Sequence, residues 1–216
     1  MKSTLSVIIL TRDEQLHIRR CIERVRPIAT EIFVVDCGSV DDTQSIARSL
    51  GATVVEHPWP GCQAKQLNWA LDNLPLTGDW VLRLDADEYL TEALIAEIQA
   101  KLEGLSETVT GVTFRLVRVF LGRRLRFGNP VIRLLRLWRR GQARCEVRPM
   151  DEHMCILTGT IVDFSGAFLD HNLHGLLWWS QKHLGYAERE VNILAADANE
   201  TEEGFSSNAA AKRRMK

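Results

Sequence analysis

The feature that most constrains this chain is the rhythm of its first hundred residues, where short apolar runs rich in Val, Ile and Leu alternate with amphipathic stretches. That alternation specifies a parallel sheet covered by helices, an α/β fold. Strands are expected at Leu5 to Leu10, Glu31 to Asp36, Ala52 to Glu56 and Trp80 to Leu84. Helices are expected over Glu14 to Val25, from the turn-rich Cys37 to Asp42 on to Leu50, and over Gln63 to Leu74 and Thr91 to Leu102. Leu16, Ile18, Cys21, Ile22 and Val25 fall at helical spacing, and Gly51 suits a helix end. Right-handed crossovers would bring every strand's carboxyl end to one edge of the sheet, where open α/β folds bind ligands.

After Gly104 the rhythm changes. Thr108 to Phe120 reads as a longer, antiparallel strand, and Leu121 to Arg144 is arginine-rich and interrupted by Gly128-Asn129-Pro130. Leu173 to Leu194 reads as a long helix, and Asn199 to Lys216 as a polar tail. With 216 residues the expectation is one domain over 1–198, its halves 1–104 and 105–198, followed by the tail 199–216. Five cysteines without a C-x-x-C pair suggest neither a disulfide framework nor a zinc module, and fit a reducing cytosol. No charged-then-apolar leader opens the sequence, and its early apolar run is far shorter than the ~18 residues of a membrane span. Neither secretion through a leader nor an integral membrane protein is expected.

A net charge of −1 conceals a strong asymmetry. Between Thr108 and Cys145 there is no Asp or Glu, yet there are ten arginines: Arg115, Arg118, Arg123, Arg124, Arg126, Arg133, Arg136, Arg139, Arg140 and Arg144. Without them the remainder holds 17 basic and 28 acidic residues, or −11. Three readings fit: a surface lying on anionic lipid, a grip on a phosphorylated or lipid-linked acceptor, or a solvated face. Surface membrane association is the first choice. Nucleic acid is the weakest, because the acidic remainder would repel a polyanion.

The most specific local signal is Asp85-Ala86-Asp87 at the carboxyl end of a buried strand. Two carboxylates one residue apart, where the chain leaves the sheet, can hold a hard divalent cation that also binds diphosphate oxygens. On the bare tripeptide, turn capping by Asp87 with Asp85 solvated is the better account. Asp36 stands at a second strand end before the small Cys37-Gly38-Ser39, where a helix N-cap region supplied by Ser39, Asp41 and Asp42 is the alternative to a ligand site. Lys65 and Asn68 share a helix face suited to phosphate oxygens, or to solvent. His171 and His174 form an H-x-x-H pair in which a ligand role and a structural one are evenly matched.

Four stretches in order, SVIILTRDE over 6–14, VDCGSVDDT over 35–43, AKQLNWA over 64–70 and Asp85-Ala86-Asp87, resemble the motifs of family 2 glycosyltransferases of the GT-A fold. Arg133-Leu-Leu-Arg136, Met150-Asp-Glu-His153 and Asp170-His-Asn-Leu-His174, with Trp179 and Lys182-His183, are similar to bacterial members that build lipopolysaccharide, capsule or exopolysaccharide. The resemblance implies a GT-A-like, mostly parallel sheet flanked by helices, with an acceptor-side β and helical extension. It implies a UDP-linked or similar nucleotide-sugar donor, Mn²⁺ or Mg²⁺, and a cell-envelope glycan or glycolipid acceptor at the inner face of the membrane. Thr11 and Glu14 would line the nucleotide pocket, Asp36 would bond the base, and Lys65 and Asn68 would meet the diphosphate. Asp85 would hold the ribose or lie by the metal, Asp87 would ligate it, and His171 is the preferred candidate to complete its site. Glu152, with Asp151, would supply the base that takes the acceptor's proton, so that one displacement inverts the anomeric carbon; without the family a charged surface loop accounts for this pair. A nucleotidyltransferase would need a glycine-rich, lysine-bearing loop after the first strand, which Thr11-Arg12-Asp13-Glu14 is not. A non-catalytic nucleotide-sugar-binding or membrane-associated relative is the remaining rival.

Overall fold

The computed structural model describes residues 3–127, 131–147, 152–188 and 190–191. The first half is a parallel α/β unit of β1 (Leu5–Thr11), α1 (Ile18–Val25), β2 (Glu31–Asp36), α2 (Thr43–Ser49), β3 (Thr53–Glu56), α3 (Gln63–Asn73) and β4 (Trp80–Asp85). There follow β5 (Glu88–Leu90), α4 (Glu92–Lys101), a short 3-10 turn, β6 (Val109–Phe120), β7 (Arg123–Arg124), β8 (Arg133–Arg139), β9 (Ala143–Cys145), β10 (Met154–Ile156) and β11 (Thr160–His171). The main sheet runs β3-β2-β1-β4-β8-β6-β11-β5, with β7 on β6; β9 and β10 form a separate ribbon. The neighbours from β3 to β4 are parallel, β8 is antiparallel to β4 and β6, and β11 is parallel to β6.

All seven residues of β1 are buried, as a strand covered on both faces requires. Its alternate side chains feed two cores. Val7 and Ile9 pack with Ile18, Ile22 and Val25 of α1 on one face, whereas Ile8 and Leu10 pack with Ala64, Leu67 and Ala70 of α3 on the other. Trp138 of β8 joins the α3 side and Leu137 the α1 side, so the arginine-rich segment threads a strand through the middle of the sheet.

The expected strands and helices of the first half are present, with one shift. α1 begins at Ile18 rather than near Glu14, because Asp13 is left-handed (φ 53°) and the Glu14 carbonyl closes a turn onto the amides of His17 and Ile18. Local patterning did not give β5, β8 or β11, whose partners lie far away in sequence. Contacts divide the chain into two units, Met1–Leu173 and His174–Lys216. In the second, residues 176–188 are helical, Trp179 stacks on His183, and Lys182 lies over Trp178. Gly128 to Pro130, Leu194 and the tail 199–216 lie outside the described residues. Among the described residues no helix is long and apolar enough to cross a membrane.

Candidate functional site

Parallel register lines up three of the singled-out residues. Thr11 pairs with Asp36 across β1 and β2, and Leu10 pairs with Asp85 across β1 and β4, so the three occupy adjacent strand ends on one edge. Asp36 is fully buried and accepts from Gly38 N (3.0 Å), Ser39 N (2.9 Å), Gln44 Nε2 (2.9 Å) and the Ser39 hydroxyl. Gly38 sits at φ 93°, a conformation that favours glycine and lets the loop close over the carboxylate. These partners hold the loop rather than cap a helix, since α2 begins only at Thr43, whose amide donates to Asp41 (2.9 Å). The buried Thr11 hydroxyl beside it has no hydrogen-bond partner, an orphaned polar atom at the strand-end edge.

Asp85 ends β4 inside a buried ionic network. It accepts from Gln63 Nε2 at the start of α3 (2.7 Å) and from Arg83 (3.1 and 3.3 Å), and Arg136 of β8 approaches to 3.9 Å. Its backbone amide donates to Glu88 (3.0 Å), which is ion-paired with Arg136. Burial pushes the Glu88 carboxyl upward, against the pull of Arg136 and Arg83, which favour its charged form. Burial works against the Arg83 charge, yet Asp85, then Glu88, hold its pKa above the usual value, with smaller contributions from Cys145 and Glu152. The half-buried Glu152 therefore lies within electrostatic reach of the Arg83–Asp85 pair. Asp151, its partner in the expected base, lies outside the described residues.

Asp87 and His171 meet where β5 begins and β11 ends. The His171 amide donates to the Asp87 carbonyl (3.2 Å), and the Asp87 carboxylate accepts from Asn172 (3.2 Å). Arg20 of α1 ties this corner together, donating to the His171 carbonyl (2.6 Å), the Asp87 carbonyl (3.4 Å) and His171 Nδ1 (3.2 Å), with its guanidinium 4.3 Å from the Tyr89 ring centroid. A guanidinium only donates, so Nδ1 is the acceptor and the imidazole proton is on Nε2. Burial, then Arg20 and His17, keep the His171 pKa below its ordinary value. Ligating a metal through Nδ1 would require release of Arg20. Glu14 bonds His17 Nδ1, and His17 Nε2 accepts from the Leu173 amide (2.8 Å), which pins the end of β11 to the start of α1.

Donors of the right chemistry for a hard divalent ion are therefore present in Asp87, Asp85 and His171. Among the described residues no three His, Cys, Asp or Glu side chains form a ready-made cation cluster. Carboxylate oxygens at Asp85 and Asp87 suit a hard divalent ion, whose remaining positions substrate phosphates and water can fill. Lys65 is exposed on α3 and makes no hydrogen bond or ion pair among the described residues. Asn68 is differently employed: its amide bonds both the Cys145 carbonyl (2.8 Å) and the Cys145 amide (3.0 Å), pinning β9 to α3. Arg20, Gln63, Arg83 and Glu88 are not singled out by the sequence, and Arg136 appears there only as one of ten arginines and as the end of a motif. Arg20 and Arg83 carry no motif, whereas Glu88 directly follows Asp87 and Arg136 ends Arg133-Leu-Leu-Arg136.

The family model described as glycosyl transferase family 2 matches residues 6–165, which include Thr11, Asp36, Asp85 and Asp87 but not His171. The chain belongs to this family. It is 40% identical over 95 residues to an uncharacterized glycosyltransferase of Rickettsia typhi, covering 44% of this chain and 32% of that protein. A relative from Rickettsia bellii is 41% identical over 95 residues, covering 44% and 31%. The matched part spans about a third of these relatives' length. Among solved structures, glucosyl-3-phosphoglycerate synthase from Mycobacterium tuberculosis, in complex with Mn²⁺, uridine-diphosphate and glucosyl-3-phosphoglycerate, is 24% identical with a TM-score of 0.44, over 54% of this chain and 44% of that one. This family 2 domain is α/β, with parallel strands throughout the first half and a mixed extension in the second, where β8 is antiparallel to β4 and β6 and β11 is parallel to β6.

Proposed function

We propose that this family 2 domain transfers a sugar from a nucleotide-sugar, UDP-linked in the first instance, to a cell-envelope glycan or glycolipid of the lipopolysaccharide or exopolysaccharide type. It would work in the cytoplasm at the inner face of the cell membrane, with Mn²⁺ or Mg²⁺, and with inversion at the anomeric carbon. The alignment of Thr11, Asp36 and Asp85 at adjacent strand ends, with Asp87 on the turn that follows, is the observation that carries this reading. Such an edge suits a nucleotide laid across the strand ends with its diphosphate at the last of them.

In this reading the orphaned Thr11 hydroxyl and Glu14 line the nucleotide pocket, Asp36 meets the base by exchanging one of its internal donors, and Lys65 neutralises diphosphate. Asp85, held by Arg83 and Gln63, orients the ribose side, while Asp87 ligates the ion, with His171 beside it. A bound divalent ion would stabilise negative charge on the departing diphosphate. Glu152 accepts the proton of the acceptor hydroxyl as it attacks. Asn68 supports β9, and through it the segment that leads to Glu152.

A panel of nucleotide-sugars in a thermal-shift assay with Mn²⁺ tests the donor, because a ligand at 100 times its Kd adds ~2.7 kcal/mol to stability. Stabilisation by one nucleotide class, followed by metal-dependent release of its nucleotide, is expected. Stabilisation without any release, with acceptor extract present, would favour a non-catalytic holder.

A further inference from the structure

We propose that the β6–β7 hairpin is a membrane-docking element that seats the strand-end edge of the sheet on an anionic bilayer. The proposal rests on the preceding reading only for what the docked edge would do there. Folding sorts nine of the ten arginines into two classes, while the tenth, Arg115, is exposed along β6 away from the turn. Arg136 pairs with Glu88, Arg133 bonds the Phe164 carbonyl, Arg139 the Val109 carbonyl and Arg140 the Gly78 carbonyl, while Arg144 pairs with Asp72 and Arg118 lies 3.9 Å from Asp170. Arg123, Arg124 and Arg126 are exposed at the hairpin and make no hydrogen bond or ion pair among the described residues.

Three observations point the hairpin at lipid. Between and beside these cations the chain exposes Leu121 (56%), Leu125 (43%), Phe127 (91%) and Val131 (77%), a mixture that suits headgroup depth, where cations meet phosphates and apolar groups leave water. The two-residue turn also has a sequence its geometry disfavours. Leu121 (φ 47°) and Gly122 (φ 75°) are both left-handed, the form in which hairpins prefer Asn-Gly, so an exposed leucine is held there against its own conformational preference. Neither burial nor local backbone geometry explains a leucine at that tip, whereas contact with acyl chains does. Finally, Val119 of β6 pairs with His171 of β11, so the turn starts two residues beyond the register of the Asp87–His171 corner, on the same edge of the sheet. Docking by this tip would bring that corner to the bilayer surface.

Sedimentation with phosphatidylcholine vesicles, with and without phosphatidylglycerol, tests the proposal on the full chain. Binding is expected only with phosphatidylglycerol, falling as salt rises. Combined Arg123→Glu, Arg124→Glu and Arg126→Glu should weaken it about a hundredfold or more, taking the usual gain per cation at an anionic surface. Leu121→Asn is the sharper variant, since it should raise thermal stability by relieving the turn while weakening vesicle binding. Equal binding to neutral vesicles, no binding to either, full release by soluble glycerol phosphate, or loss on Leu176→Ser with Leu177→Ser but not on the hairpin variants would each overturn it. Nucleotide-dependent thermal shifts measured on the same variants keep the two readings apart: retained shifts with lost sedimentation support docking by the hairpin, and sedimentation that depends on the hairpin in a protein no nucleotide stabilises would sink the donor reading alone.

Discussion

The two halves of the sheet satisfy their buried charge in different ways. In the parallel half, Asp36 finds its donors in Gly38, Ser39 and Gln44, all within eight residues. In the mixed second half, Glu88 depends on Arg136, 48 residues on, and Glu97 on the amides of Ser165 and Gly166, just as the neutral Asn68 of α3 reaches across to Cys145, 77 residues away. The first kind of site forms with its own loop, whereas the second exists only once distant strands have paired. Asp85 stands where they meet, closing a parallel strand yet held by side chains from α3, β4 and β8.

Perturbing the long-range side should therefore do more damage, and do it differently. The largest effect is expected on turnover from Glu152→Gln, which keeps shape but cannot take a proton: a loss of ~10²–10⁴-fold with nucleotide binding and melting temperature unchanged. Unchanged turnover would remove Glu152 as the base. Arg136→Met should cost about 3–5 kcal/mol in denaturant unfolding, since it strands a buried carboxylate, and adding Glu88→Leu should recover much of it. Asp36→Asn, whose partners are local, should cost less, about 1–3 kcal/mol. Equal costs would break the comparison.

Glu97 offers a pH test. Burial alone would raise its pKa, but Lys101, then the Ser165 and Gly166 amides and the Ser165 hydroxyl, bring it down to about 2 from an ordinary value of 4.5. The folded value is the lower one, so its stabilisation is complete above about pH 4.5 and is lost as pH falls towards 2. Its side chain is only 8% exposed, and at neutral pH the effect should be about 2–3 kcal/mol. Glu97→Gln should flatten the acid limb of the stability curve over that window; an unaltered limb would place the α4–β11 contact elsewhere. The smallest effect belongs to the exposed Arg144–Asp72 pair, expected at ~0–1 kcal/mol in a double-mutant cycle.

What was legible in the sequence follows the same division. The helices and parallel strands of the first half are written in local periodicity, and Asp36, Asp85 and Asp87 could be placed at strand ends because the strands themselves were visible. β8 could not be read, because Arg133 to Arg139 interleaves cations with apolar residues and looks like a surface. Only pairing with β4 and β6 shows that Arg136 is internal while Arg123, Arg124 and Arg126 face outward. Arg20 was missed for a similar reason: on an amphipathic helix it looks like one more solvated cation, and it acquires meaning only when β5 and β11 bring Asp87 and His171 to it. Gly166 belongs to the same class, since its need to be glycine comes from Leu94 of α4, which a Cβ would approach to 2.7 Å.

On the proposed reading the strand-end edge binds a nucleotide-sugar through Asp87 and a divalent ion and sends the sugar to an acceptor. The most direct test is nucleotide release from a panel of nucleotide-sugars, with and without Mn²⁺, by the wild-type chain and by Asp87→Asn, alongside the melting temperature of each. Metal-dependent release from at least one donor is expected of the wild type, abolished in Asp87→Asn without loss of fold. Release that proceeds equally well in Asp87→Asn, or equally well without the ion, would contradict it.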